Sequence, residues 1–212
     1  MSRSFSAGWH AYREAFRADA HQLLAWGYSD VRSLLGTDSE ETEITGLIVH
    51  AIELRLDDER TPERFEHYEV TEDSPLQGEG RSGKRRRRAD IRIKSRFLKP
   101  RPRYVFEAKR LKKTSHGVSG YLGTDGLHRF LGNTSYAAEA VEAAMLAYVQ
   151  SPTVDSWIAD LTKSLSGADP ALGIVNPLTP VASSCFDHLF TTVHRRSNGE
   201  ELEICHIFLD CT

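Results

Sequence analysis

Apolar residues at Phe5, Trp9, Tyr12, Phe16, Ala20 and Leu23 recur every three or four positions, the spacing of one buried stripe on a helix. Gly27 is expected to end that helix, and a short helical piece over 31–35 to stop at Gly36. A second helix is predicted from about Asp38, where Thr37 with Glu40 and Asp38 with Glu41 have capping-box spacing. Its buried face is Ile44, Leu47, Ile48, Ala51 and Ile52. Glu40, Glu41 and Glu43 fall in its first turns, where the helix dipole favours negative charge.

The pattern then changes to strands. Residues 65–70 form a first, weak strand, and 71–83, with Pro75, Gly78, Gly80 and Gly83, a loop. Strands are predicted over 88–95 and 104–111, joined through Pro100 and Pro102 as an antiparallel pair. After a glycine-rich stretch over 117–132, containing a short apolar piece at 127–131, the spacing of Ala137, Val141, Ala144, Met145 and Tyr148 predicts a helix over 136–149. Another helix is predicted over 154–165. The chain closes on a β-hairpin, 185–194 and 202–209, around the turn Ser197-Asn198-Gly199. The expected architecture is α/β (α+β): a central mixed β-sheet flanked by helices, in one domain over 1–212. Residues 1–36 form an N-terminal helical wrapper and 38–210 the core.

Composition narrows the class. With 40% hydrophobic and 27% charged residues among 212, the chain can bury a core. No apolar run approaches the roughly 18 residues of a membrane span, and residues 1–8 lack the apolar segment of a secretory signal. Cys185, Cys205 and Cys211 have no framework spacing and read as reduced thiols, which suits a cytoplasmic protein. The net charge of −3 hides an asymmetry. Between Arg81 and Lys113 stand 16 basic residues and two acids, leaving 11 basic against 28 acidic residues elsewhere. So dense a basic segment is either a solvated loop or a surface that neutralises phosphates.

The two predicted strands carry the candidate chemistry. With a period of two, Ala89, Ile91 and Ile93 face the core while Arg88, Asp90 and Arg92 share the other face. On the next strand Glu107 and Lys109 share a face. If the strands pair, Asp90, Glu107 and Lys109 converge. Two carboxylates on adjacent strands form an oxygen-donor set suited to Mg²⁺, with Mn²⁺ able to substitute. A lysine beside the metal can orient or deprotonate a water, or stabilise charge on a phosphate. The plainer reading is a hairpin whose surface charges pair with one another, since Glu-x-Lys is a common tripeptide. Cys185 with His188, and Cys205 with His206, lack zinc spacing and read as buried thiols and surface imidazoles.

Asp90 on the second strand, sixteen residues, then Glu107-Ala108-Lys109 on the third, in an order of helix, three strands, helix and strand, resembles the PD-(D/E)xK nuclease superfamily. The proline often found before the aspartate is replaced by Ala89. The resemblance covers roughly 38–150. It implies a restriction-endonuclease-like core and a metal-dependent endonuclease that hydrolyses phosphodiester bonds, DNA being preferred to RNA. The implied metal ligands are Asp90, Glu107, the Ala108 carbonyl and an acid of the preceding helix. That acid matches best at Glu43, with Glu40 as fallback. Glu41 points away, turned about 160–200° from Glu43 at 100° per residue. Catalysis would rest on Asp90, Glu107, Lys109 and Glu43, and nucleic-acid contact on Arg86, Arg88, Arg92 and Arg129. Tyr121, Gly126, Arg129-Phe130, Gly132, Tyr136 and Met145-Leu146-Ala147-Tyr148-Val149 resemble, less closely, the region after the motif in restriction-like proteins of bacterial anti-phage islands. That likeness implies a defence role, with Arg129 and Gln150 considered for phosphate contact. A chain this short suggests a protein partner or a homo-oligomer. The alternative is a non-cleaving nucleic-acid-binding or scaffold subunit that keeps the fold.

Overall fold

From Ala7 on, the N-terminal stripe lies in α1 (Ala7–Val31), longer than its pattern suggested and followed by one 3-10 turn at Arg32–Leu34, while Phe5 lies outside the described residues. The computed structural model describes residues 7–76, 88–97, 99, 101–132, 142–167 and 170–212. Gly27 does not end α1. A Cβ there would lie 2.6 Å from Ile52 Cγ1 and 2.7 Å from Ile48 O, so the glycine lets α1 and α2 (Glu41–Leu56) approach closely. The α2 N-terminus is one turn later than expected, and its capping box joins Glu40 to Glu43. Ile44, Ile48 and Ile52 are fully buried, each contributing roughly 1.5–3 kcal/mol of apolar burial.

Among the described residues seven strands follow: β1 (Tyr68–Pro75), β2 (Arg88–Ser95), β3 (Arg103–Lys112), β4 (Glu142–Ser151), β5 (Ile174–Pro180), β6 (Leu189–Arg195) and β7 (Glu201–Asp210). They form one mixed sheet in the order β1-β2-β3-β4-β7-β6-β5. β3, β4 and β7 are parallel neighbours, and the outer pairs are antiparallel. Three further helices are α3 (Val118–Leu122), α4 (His128–Leu131) and α5 (Val154–Ser166). α5 is where the pattern places it, and the β6–β7 hairpin forms around the expected turn, with β6 starting at Leu189, later than the predicted 185.

Both faces of the sheet are covered. Tyr104, Phe106 and Ala108 of β3, with Ala144, Leu146 and Tyr148 of β4, pack under α1 and α2. Val105, Leu111, Met145, Ala147 and Val149 pack under α3, α4 and α5. The second covering explains the largest departure from the expected elements. Residues 142–149, expected in a helix, are the middle of the sheet, while 136–141 lie outside the described residues. A strand buried on both sides shows a continuous apolar run, and Ala143-Ala144-Met145-Leu146-Ala147 reads as helical by composition alone. β1 begins later than predicted and takes up 71–75, expected as loop. β5 has no counterpart among the predicted strands because Pro177 and Pro180 interrupt it, which an edge strand tolerates. No helix among the described residues is long and apolar enough to cross a membrane.

Candidate active site

The site begins where β2 and β3 part. Their ladder runs from Lys94↔Arg103 to Ile91↔Phe106. Beyond it the β3 main chain turns polar groups toward an edge that β2 no longer pairs. Side chains take them up. Ala108 N donates to Asp90 Oδ2 at 2.6 Å, and Arg110 N to Glu41 Oε2 at 3.2 Å. The Ala108 carbonyl accepts from Lys109 Nζ at 2.6 Å. Two carboxylates and an ammonium thus finish the strand edge where β2 leaves it.

Glu107, next on the strand, is fully buried. Its Oε1 lies 2.9 Å from Lys109 Nζ and 2.8 Å from Arg129 Nη1, and the same guanidinium nitrogen is 2.9 Å from Oε2. Lys109 Nζ also meets Glu41 Oε1 at 3.1 Å. The ammonium therefore sits among oxygens of Glu107, Glu41 and Ala108. Burial and the Glu107 charge push the Asp90 carboxyl up to about 7, with Lys109 and the Ala108 N–H offsetting part of the rise. For Lys109, burial disfavours the charge, but Glu107, Glu41 and Asp90 outweigh it and hold the ammonium above its ordinary range.

The structure brings Asp90, Glu107 and Lys109 together as the strand reading expects, with the Ala108 carbonyl beside them, and corrects the helix acid. Glu43 is exposed and spends its carboxylate on the Glu40 backbone N–H at 3.2 Å. Glu40 pairs with Arg110 at 2.8 Å. Glu41 is the acid that enters the site. As the first residue of α2 its side chain leans back toward the N-terminus, onto the open β3 edge. The 100° rotation separates Glu41 from Glu43 correctly but cannot say which of the two faces the strands.

The basic residues divide. Arg129, expected at a phosphate, has its guanidinium on Glu107 here, with Nη2 3.5 Å from exposed Asp125. Gln150 is also corrected: fully buried, its Nε2 donates to Gly36 O at 3.0 Å and Ser39 O at 2.7 Å. Arg88 lies at the start of β2, exposed and paired with Asp73. Arg92, half-buried, is two residues on from Asp90 along β2. Arg86 lies outside the described residues.

No protein-family model, curated protein or solved structure matches the chain. The chemistry of the site rests on its own atoms. Among the described residues no group of three or more His, Cys, Asp or Glu side chains could hold a metal ion. The donors here are two carboxylates and a main-chain carbonyl. That all-oxygen set fits a hard cation such as Mg²⁺, which commonly takes one or two carboxylates and keeps several waters. Lys109 and Arg129 at present occupy the oxygens that Glu107 would give it.

Sequence reasoning missed a buried chain behind the site. Tyr121 OH meets His206 Nδ1 at 3.0 Å, His206 Nε2 meets Thr192 Oγ1 at 2.8 Å, and Thr192 Oγ1 meets His194 Nε2 at 2.6 Å. His194 Nδ1 lies 2.8 Å from Leu172 O, which can only accept. That end fixes the direction of every bond: Tyr121 donates to His206, His206 to Thr192, Thr192 to His194, and His194 to Leu172. Both imidazoles are neutral; burial, then His194, pushes His206 down to about 3, and burial lowers His194. His206 is thus a core residue and not the surface imidazole expected, whereas Cys205 is the buried thiol the alternation implied. The signal available was positional: His206 alternates with Ile207 and Cys205 in a strand buried on both faces.

Proposed function

We propose that the chain is a Mg²⁺-dependent nuclease that hydrolyses phosphodiester bonds, DNA before RNA, through a restriction-endonuclease-like centre of the PD-(D/E)xK type. The observation that supports it is the convergence of Asp90, Glu107, the Ala108 carbonyl and Lys109 on one open strand edge. A bound divalent cation would supply an acidified water and charge neutralisation at the phosphate. Asp90 and Glu107 would hold it, rigidly, because both grow from strands. Lys109, kept protonated by its three carboxylate neighbours, would place a positive charge where the phosphate gathers negative charge. Glu41 fixes that ammonium in position. The proposed setting, anti-phage defence with a partner that supplies target recognition, rests on the likeness of the stretch after the motif.

The test is cleavage of supercoiled plasmid, single-stranded DNA and RNA with Mg²⁺, Mn²⁺ or EDTA, comparing the native chain with Asp90→Asn and Glu107→Gln. Metal-dependent nicking lost in both variants is expected. Nicking that persists in either at the native rate would reject the site.

One observation favours a second reading. Glu107 is already paired with Arg129 and Lys109, which balance its charge without a metal. A subunit that binds nucleic acid without cutting it would look the same. Salt-dependent DNA binding with no cleavage in either metal would select that reading.

A further inference from the structure

Arg129 stands between two carboxylates of opposite character. Toward the interior, one guanidinium nitrogen reaches both oxygens of fully buried Glu107, at 2.8 and 2.9 Å. Toward solvent, Nη2 lies 3.5 Å from Asp125 Oδ1, whose side chain is 87% exposed. The backbone that carries Arg129 is fixed. Leu127 and Phe130 are fully buried, Leu127 N donates to Tyr121 O at 2.9 Å, and a Cβ on Gly126 would lie 2.1 Å from Tyr121 O. Tyr121 is in turn anchored on His206. The side chain can swing while its base stays still.

Lys109 and Arg129 both contact Glu107, but they face different surroundings. Lys109 is enclosed by oxygens of Glu107, Glu41 and Ala108. Arg129 reaches from Glu107 outward to Asp125 at the surface. A divalent charge added beside Glu107 with both cations in place would set like charges against one another at low dielectric. One cation must leave, and Arg129 has the exposed alternative.

We propose that Arg129 is a gate on the candidate metal centre: it holds Glu107 in the metal-free protein and swings to the Asp125 side when Glu107 ligates a divalent cation. The inference rests on the nuclease reading. The guanidinium released beside the centre is available to a phosphate, with a planar fork suited to two phosphate oxygens. A polyanion that draws Arg129 outward therefore favours metal loading, and by reciprocity metal favours the polyanion. The metal-free state keeps Glu107 neutralised, so loading follows substrate.

The test is Mn²⁺ affinity measured by calorimetry and by electron paramagnetic resonance on the full chain, with folding checked by circular dichroism. Arg129→Gln is expected to bind Mn²⁺ at least about tenfold more tightly than the native chain. Asp125→Asn, at an exposed position, is expected to bind it about threefold more weakly, because the outer position then lacks its carboxylate charge. Equal affinity in the native chain and both variants overturns the gate and leaves the metal site standing. Failure of every folded form to bind Mn²⁺ at millimolar concentration rejects the metal site and the gate together. Should Arg129→Gln not fold, Asp125→Asn decides, and unchanged affinity in it overturns the gate.

Discussion

Glu41 and Lys109, 68 residues apart in the chain, form an ion pair of 3.1 Å that ties the first turn of α2 to the open edge of β3. The same carboxylate accepts the Arg110 N–H, so Glu41 both fixes the lysine and completes the strand edge. Glu43, two residues on, does neither. Glu41→Gln is therefore expected to lower cleavage at least about tenfold, as loss of a supporting partner commonly does. Glu43→Gln should change cleavage little and cost roughly 0.5–1 kcal/mol through the cap. Paired rate and urea-melt measurements on the two variants check this, and a larger catalytic loss in Glu43→Gln would reverse the assignment.

Asp90 is expected to show a conflict between stability and activity. Its folded carboxyl titrates near 7, above its unfolded value, so the folded state holds a proton there that the unfolded state has lost. Its stabilising share is complete below the unfolded value and disappears as pH rises through about 7. At pH 8 without metal, the charged carboxylate opposes folding by something on the order of 2–4 kcal/mol. Asp90→Asn keeps an acceptor for the Ala108 N–H and removes the charge. It should raise the melting temperature at pH 8 in EDTA, raise it much less at pH 5, and abolish metal-dependent cleavage. A lower melting temperature at pH 8 would contradict the electrostatic account.

How far the sequence could be read follows from which patterns are local. The strand pair carrying Asp90 and Glu107 was legible because period-two alternation and an intervening proline turn are short-range signals, and the observed β2 matches its predicted bounds. The closing hairpin was legible through Asn198-Gly199 for the same reason. β4 was not, because its burial on both faces is a property of its neighbours. Glu41 was not, because the choice between helix faces depends on how α2 docks. Arg129 was legible as a residue of the site, but as a phosphate ligand; its pairing with Glu107 across 22 residues is fixed by the close packing of the glycine-rich segment. The chain from Tyr121 to Leu172 joins α3, β7, β6 and the turn before β5, and no window of sequence contains it.

The basic run gives a prediction independent of the metal. Arg88 is exposed at the head of β2, two residues before Asp90, and Arg85, Arg86 and Arg87 precede it directly in sequence. Replacing Arg85, Arg86, Arg87 and Arg88 by alanine should weaken duplex binding in EDTA and reduce the salt slope by roughly 0.9 for each phosphate no longer neutralised. Fluorescence anisotropy across a salt series reads it. An unchanged slope would assign the run to solvent.

Acid should destabilise the protein through its buried imidazoles, against the opposing trend of Asp90. Burial, with Arg17 adding to it, pushes His21 down to about 4, where its Nε2 meets Tyr104 OH at 2.8 Å. His206 is pushed lower, to about 3. In the unfolded chain both protonate near the ordinary histidine value of about 6.5. Between about pH 6 and 4 the unfolded state thus binds two protons that the folded state refuses, and stability falls as pH falls. Each such group contributes a slope of about 1.4 kcal/mol per pH unit. Over the same window Asp90 is protonated when folded and ionised when unfolded, which contributes one slope of opposite sign. The native chain should therefore lose about 1.4 kcal/mol per pH unit, and Asp90→Asn about twice that, from these three groups. Chemical denaturation at pH 6, 5 and 4 in EDTA measures both slopes. His206→Gln should flatten the native slope, and a slope left unchanged by both substitutions would mean that neither group titrates as its burial requires.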